Sequence, residues 1–242
     1  MRKRKTLLLT GVGLLLTAGV LAGLILMVQH EPNFYLRAAI APGKARQDMS
    51  AKCFGQFVTL GNHWVEGTTA KWDVTLSESE INSYFQEDFI TKHHLDEVFG
   101  KQGITEPRMV LENDKLRLAF RYGDPPWSTI ISYDMKLWLA PNEVNVICIE
   151  FLGRHAGALP LATQSLLNEI SEVAGRNGFE ITWYRHEGNP VALVRIQQND
   201  HTPTPAQLRR LEVRQGWIAI GGLSQEPSFT KDEKTALVPL GN

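Results

Sequence analysis

The segment KLRLAFRY, Lys115–Tyr122, decides the fold class because apolar and charged residues alternate along it. A strand places successive side chains on opposite faces, so one face of this strand is apolar and the other is cationic. The apolar face carries Leu116, Leu118, Phe120 and Tyr122, and the cationic face carries Lys115, Arg117 and Arg121. Asn113 and Asp114 supply a turn before the strand. The pattern predicts an antiparallel sheet with one solvated face.

Further alternating runs lie on both sides of this strand. Residues 131–139 and 144–151 repeat the pattern around a turn at Pro141-Asn142. Other strands are expected at residues 72–76, 179–183, 191–196, 208–213 and 217–220. Strands that follow one another through short turns predict a curved antiparallel meander.

Three segments beyond the N-terminus have helical periodicity. Residues 42–60 carry apolar residues close to a 3.6 period and are expected to end at Gly61-Asn62. Ser77 and Glu80 form an S-x-x-E capping box that starts a second helix, which is expected to run to about residue 90. A third helix follows, with Pro160 in its first turn. The predicted class is α+β, with an N-terminal transmembrane helix and the inserted helices packed on one face of the sheet.

Residues 6–28 are 23 consecutive uncharged residues, mostly Leu, Val, Ile, Ala and Gly. As a helix they extend about 35 Å, which exceeds the roughly 30 Å of a bilayer's hydrocarbon core. The basic tip, residues 1–5, is expected to stay in the cytoplasm. These features predict a single-pass cell-membrane protein with an extracytoplasmic C-terminal part, which is periplasmic if the cell has two membranes.

A cleaved signal peptide is the alternative to an anchor. Its apolar region usually runs about 7 to 15 residues and ends in an A-x-A-like site. Here the run is longer and ends Leu26-Met27-Val28-Gln29-His30, which favours an uncleaved anchor. Beyond the anchor we expect a linker at 29–41, one α+β domain at 42–222 and a polar, flexible tail at 223–242.

The charge balance separates two parts of the chain. The whole sequence has 25 basic and 26 acidic residues, but Arg2, Lys3, Arg4 and Lys5 all precede the apolar run. The exported part therefore has 21 basic and 26 acidic residues, a net charge of −5. This acidic balance argues against a nucleic-acid partner, which requires concentrated positive charge.

Two cysteines, Cys53 and Cys148, lie in the exported part, where oxidation is permitted. They are candidates for one disulfide. Cys53 falls on the apolar face of a predicted helix and Cys148 lies inside an apolar strand, so both also fit as buried small hydrophobic residues.

The sequence contains no recognised catalytic motif. It has no G-x-S-x-G, H-E-x-x-H, C-x-x-C or P-loop pattern, so no catalytic residue, cofactor or metal ligand is assigned. The densest titratable cluster is residues 93–97, HHLDE, which is best explained as a solvated connector. His155 and His186 are each isolated beside an arginine.

Two features are candidates for contact with a ligand or partner. The cationic strand face of Lys115, Arg117 and Arg121 either meets anionic lipid headgroups near the anchor or is an ordinary solvated face. Trp127 follows Pro125-Pro126 in a loop, whereas most other tryptophans fall within predicted strands. Trp127 is therefore the aromatic residue least readily explained by core packing.

Several segments carry a resemblance to known proteins. They are Phe34-Tyr35 after the anchor, Trp72 before TLSESEIN (75–82), LRLAFRY (116–122) and GALPL (157–161). They resemble an uncharacterised bacterial family of single-anchor exported proteins over about residues 33–222. More distantly, the order of elements is similar to YpmS-like membrane proteins, which are suspected relatives of tubular lipid-binding (TULIP-like) domains. The resemblance implies an anchored extracytoplasmic domain and transfers no catalytic residue.

These observations leave three hypotheses for function. The first is a membrane-anchored, non-enzymatic binding or scaffolding protein for a lipid, another apolar ligand or a partner protein. The second is a structural component of a cell-envelope protein complex. The third is a hydrolase with an unlisted site, which would need a pocket where His94, His155 or His186 meets a carboxylate.

Overall fold

The computed structural model describes residues 2–66, 71–89, 103–176, 181–196 and 206–224. The helices are α1 (Arg2–Gln29), α2 (Asn33–Arg37), α3 (Lys44–Glu66), α4 (Glu78–Tyr84) and α5 (Gln164–Arg176), and a π-helical turn (Phe85–Phe89) follows α4. The strands are β1 (Lys71–Ser77), β2 (Ile104–Glu112), β3 (Lys115–Tyr122), β4 (Thr129–Leu139), β5 (Val146–Ala156), β6 (Leu159–Pro160), β7 (Ile181–His186), β8 (Asn189–Arg195), β9 (Ala206–Arg214) and β10 (Trp217–Ser224). The predicted α+β class is confirmed, and β3 has the predicted bounds.

The strands form two antiparallel sheets. The large sheet has the order β2-β3-β4-β5-β8-β7, with β6 paired to β5, and the small sheet has the order β1-β10-β9. Neighbours in sequence pair from β2 to β5, as expected for a meander. The last hairpin instead pairs with β1, where Lys71 lies opposite Leu223. The small sheet therefore joins the two ends of the folded part.

Most of the apolar core lies on one face of the large sheet, against the small sheet, α3 and α4. Its buried members are Cys53, Val74, Leu76, Ile81, Tyr84, Leu111, Leu116, Val213 and Ile218. The α5 helix contributes Ile170 to a second cluster around Phe151 and Ala192. Met135 packs against both clusters, so α4 and α5 share one face of the sheet, as predicted.

The capping box that starts α4 is present. The Ser77 hydroxyl accepts from the Glu80 backbone N–H at 3.2 Å, and the Glu80 carboxylate accepts from the Ser77 N–H at 2.8 Å. Burial alone would raise the pKa of Glu80, but its hydrogen bonds with Lys52 and Ser77 more than offset burial and hold this pKa below its usual value. The local sequence signal therefore marks a true helix start.

Side chains of α4 close the outer edge of β2. Asn82 is fully buried, and its amide both donates to the Met109 carbonyl and accepts from the Met109 N–H, each at 2.7 Å. Two residues further on, the Leu111 N–H donates to the Glu78 carboxylate at 2.7 Å, and the Leu111 carbonyl accepts from Gly216 at 2.9 Å. These bonds satisfy backbone groups that an edge strand would otherwise leave unpaired.

Some local predictions are wrong. The α3 helix does not end at Gly61-Asn62 but continues to Glu66. Pro160 lies in β6, where its partner is His155, and α5 begins four residues later. Strand β2 was not expected, because Glu106-Pro107 interrupts its alternation at a bulge. The expected helix end near residue 90, the histidines at 93–94, the strand start at 179 and the tail from 225 lie outside the described residues.

Candidate functional site

The first helix, α1, is long and apolar enough to cross a membrane, which makes it a candidate anchor or signal. From Val12 onward its apolar window is entirely exposed, so this part of the helix does not pack on the folded part of the chain. Only its end approaches the sheet. We call this contact the anchor junction: residues 27–29 and the sheet residues that bond to them.

At the anchor junction, the sheet satisfies carbonyl groups that a helix end leaves unpaired. The Ala158 N–H donates to the Met27 carbonyl at 2.8 Å, and the Thr129 hydroxyl donates to the Val28 carbonyl. The Gln29 side-chain amide donates to the Pro126 carbonyl at 3.1 Å. The last carbonyls of a helix have no partner within the helix. Three hydrogen bonds to two segments, residues 126–129 and the β5–β6 turn, therefore make the end of α1 part of the fold.

Gly157 allows this close approach. Its φ of +58° is a left-handed conformation that favours glycine. A Cβ atom at this position would lie 2.3 Å from the Met27 carbonyl oxygen and 2.4 Å from that of Val28. Only a residue without a side chain fits between the β5–β6 turn and α1.

The short helix α2 packs on the second face of the large sheet. Tyr35 is 0% exposed and contacts Ala119 and Ile130. Its hydroxyl donates to the Glu106 carbonyl at 2.9 Å, and the Arg108 guanidinium lies 4.0 Å from the centre of its ring. Burial raises the pKa of Tyr35 well above its usual value, so the phenol stays protonated. The predicted linker at 29–41 therefore contains a residue of the core.

The cationic strand face is partly covered by the segment that follows α1. Arg121 pairs with Glu31 at 2.7 Å, and Arg117 pairs with Asp134 and lies 4.4 Å from the centre of the Phe34 ring. Burial alone would lower the pKa of Arg121, but the carboxylates of Glu31 and Glu106 more than offset this and raise it. The alternation of β3 gave no sign of this cover, because the covering residues, Glu31 and Phe34, come from a distant part of the chain.

Lys115 and Trp127 occupy opposite ends of β3. Lys115 is exposed at the turn between β2 and β3. Trp127 is 74% exposed in the loop between β3 and β4, directly after the Pro126 carbonyl that binds Gln29. The structure thus brings Arg121 and Trp127 to the end of the sheet near α1, whereas Arg117 lies further along β3 opposite Asp134 and Lys115 lies at the other end.

Cys53 and Cys148 are both free and buried. Cys53 belongs to the core cluster on one face of the large sheet, whereas Cys148 lies opposite Trp138 on the other face. The sheet separates the two sulfur atoms, so the candidate disulfide is not formed. Burial raises the pKa of Cys53 to about 12 and also raises that of Cys148.

We expect neither thiol to react in the native protein. The thiolate is the reactive form, and burial disfavours it at both positions. Alkylation of the full chain with a maleimide, without reductant, should label no cysteine before denaturation and two cysteines per chain after it. A denatured, non-reduced chain that takes up no label would show that a disulfide exists after all.

A polar cluster that the sequence analysis missed lies on the second face of the large sheet. The Glu150 carboxylate is buried, accepts from the Asn189 amide at 2.9 Å and lies 3.4 Å from His186 Nδ1. His186 thus meets a carboxylate, as the hydrolase hypothesis requires, but its side chain is about half exposed. Nearby, burial raises the pKa of the Cys148 thiol, which disfavours its nucleophilic thiolate form.

Two clefts lie at the other end of β4 from α1. The larger has a volume of about 360 Å³ and is lined by residues 139–145 with Leu208 and Arg209. The smaller, of about 160 Å³, is lined by Glu143, Val146, Thr182, Leu193 and Arg195. Both are open and partly polar. We refer to them together as the distal clefts.

Within the described ranges, no group of three or more His, Cys, Asp or Glu side chains is placed to hold a metal ion. We take the anchor junction as the candidate functional site, because it has the densest set of specific contacts between α1 and the sheet.

No family model matches this chain, and no curated protein or solved structure matches it either.

Proposed function

We propose that this protein is a membrane-anchored, non-enzymatic scaffolding protein whose folded part is exported and binds a partner protein of the cell envelope. The observation that carries the proposal is the anchor junction. Because Met27 and Val28 accept hydrogen bonds from the sheet, removal of α1 would leave sheet donors without their partners. This supports a retained anchor over a cleaved signal peptide.

The proposed topology rests on charge. Arg2, Lys3, Arg4 and Lys5 precede the apolar run, and basic residues beside a span favour the cytoplasmic side. The folded part would then lie outside the cytoplasm, in the periplasm if the cell has two membranes. Its net charge of −5 is also a reason not to expect nucleic acid as the partner.

A protein partner is favoured over a bound lipid by the packing. The described part of the large sheet has one face covered by the small sheet and helices, and α2 covers part of the other face. The distal clefts are open and partly polar, whereas ligand pockets for apolar molecules are concave and mostly apolar. A lipid carrier remains the second candidate because of the resemblance to TULIP-like domains.

The proposal is tested with the full chain expressed in a bacterium. We expect its intact mass to include α1 and the protein to stay in the membrane pellet after alkaline carbonate extraction. Amine-reactive crosslinking in intact cells should give a discrete protein adduct, and native mass spectrometry of the purified chain should show no bound lipid. A mature N-terminus beyond residue 28 would contradict the anchor. A stoichiometric lipid without a protein adduct would favour the lipid carrier.

A further inference from the structure

Two loops that flank the anchor junction have an exposed surface whose role the fold does not explain. The β3–β4 loop, residues 123–128, binds Gln29 through the Pro126 carbonyl, and the β5–β6 turn binds Met27 through the Ala158 N–H. Trp127 and Ala158 are both exposed. What singles out Trp127 is its position: its loop is bonded to the end of an apolar helix, and tryptophan is enriched where such helices leave the hydrocarbon core.

The depth of these loops relative to the bilayer follows from the length of α1. The apolar run ends at Val28, and a helix rises about 1.5 Å per residue, so Gln29 lies within a few ångströms of the end of the run. The Pro126 carbonyl is 3.1 Å from the Gln29 amide nitrogen. When α1 spans a bilayer, the 123–128 loop therefore lies at the level of the lipid headgroups.

The chemistry of Trp127 fits this level. Tryptophan has an apolar body and one N–H donor, and it is enriched where the hydrocarbon core meets the headgroups. Pro125 and Pro126 restrict the backbone of the loop, and the backbone N–H of Trp127 donates to the Asp124 carbonyl at 2.9 Å, which fixes the turn. The backbone of the loop is therefore ordered before the exposed side chain meets lipid, which lowers the entropy cost of that contact.

We propose that residues 123–128 and 157–160 form a membrane-contact surface, with Trp127 as an interfacial anchor in the headgroup layer. This inference rests on the proposed membrane anchor and adds to it a defined side of the folded part that faces the lipid. This surface contacts the phospholipid interface itself, because both loops are hydrogen-bonded to the last turn of α1, whose exposed part is apolar.

The test uses single-cysteine labelling of the full chain in phosphatidylcholine vesicles. An environment-sensitive fluorophore is attached at Leu15→Cys in the apolar run, at Asp124→Cys in the loop or at Val144→Cys beside the distal clefts. Val144 is 56% exposed, and β4 separates it from the junction by 11 residues, about 35 Å of strand. The unsubstituted chain controls for labelling of Cys53 and Cys148. Quenching by lipids with a nitroxide near the headgroup reports contact with the interface, and quenching by lipids with a nitroxide in the acyl chain reports insertion into the hydrocarbon core.

We expect quenching by the acyl-chain nitroxide at position 15, quenching by the headgroup nitroxide at position 124 and no quenching by either at position 144. The substitution Trp127→Ala should reduce the quenching at position 124, whereas Trp127→Phe should retain part of it. Quenching at position 15 without quenching at 124 overturns this inference and leaves the anchor intact. Equal quenching at 124 and 144 also overturns it, because the folded part would then lie along the membrane. A label at position 15 that the acyl-chain nitroxide does not quench shows that α1 does not insert and contradicts the proposed function.

Discussion

Replacing Asn82 with alanine is expected to lower the free energy of unfolding by about 2 to 4 kcal/mol. The substitution removes both hydrogen bonds to Met109 and leaves a backbone N–H and a carbonyl of β2 without partners. A buried polar group that loses its partner costs about 1 to 3 kcal/mol, which is more than the net gain from a satisfied bond. Denaturation of the full chain in detergent micelles, followed by tryptophan fluorescence, measures the change.

The matched control for this prediction is Asn142→Ala. Asn142 lies exposed in the turn between β4 and β5, so the same chemical change should alter the unfolding free energy by less than about 0.5 kcal/mol. Asn82→Asp is a third variant, since it keeps an acceptor for the Met109 N–H and loses the donor. We expect it to be destabilised as well. An unfolding free energy for Asn82→Ala equal to that of Asn142→Ala would contradict the closed edge of β2.

The second large effect is expected for Gly157→Ala, which should detach the end of α1 from the sheet. The added Cβ would lie 2.3 Å from the Met27 carbonyl oxygen, and this contact is with backbone, so no side-chain rotation relieves it. The hydrogen bonds from Ala158 and Thr129 to α1 should be lost with it. The result is an anchor whose orientation relative to the sheet is no longer defined.

Gly188→Ala is the control for backbone strain. Gly188 also has a positive φ, +87°, but a Cβ there meets no atom within 4 Å. Both variants carry the cost of a left-handed alanine, about 1 to 2 kcal/mol, and only Gly157→Ala adds the clash. Spin labels at Leu26→Cys on α1 and Val144→Cys report the distance between anchor and sheet. We expect a narrow distance distribution in the parent chain and Gly188→Ala, and a broad one in Gly157→Ala. A narrow distribution in all three would show that the junction does not hold α1.

Features with a local cause could be predicted from the sequence. The alternation of Lys115–Tyr122 gave the bounds of β3 because side-chain direction in a strand depends only on neighbouring residues. The capping box of Ser77 and Glu80 was found for the same reason, since its two bonds lie within three residues. The length of the uncharged segment, residues 6–28, alone identified α1 as a candidate membrane span.

Features that depend on distant partners could not be predicted. Asn82 looked like an ordinary polar residue of a helix until β2 was placed beside it. Arg117 and Arg121 were interpreted as facing either lipid headgroups or solvent, because Phe34 and Glu31, which contact them, belong to a segment with no periodicity of its own. The pattern also carried no sign of Gly157 as a contact for α1, since a glycine in a turn has many explanations.

Under the proposed function, the anchor junction would lower the entropy cost of association with a partner protein in the same membrane. A folded part on a flexible tether samples many orientations, and binding must remove that rotational freedom at a cost in free energy. Here three hydrogen bonds between sheet segments and α1 remove most of it during folding. When α1 spans the bilayer, diffusion toward a partner in the same membrane is two-dimensional. In each encounter the same side of the folded part faces away from the membrane. Weaker contacts with the proposed partner would then give the same affinity.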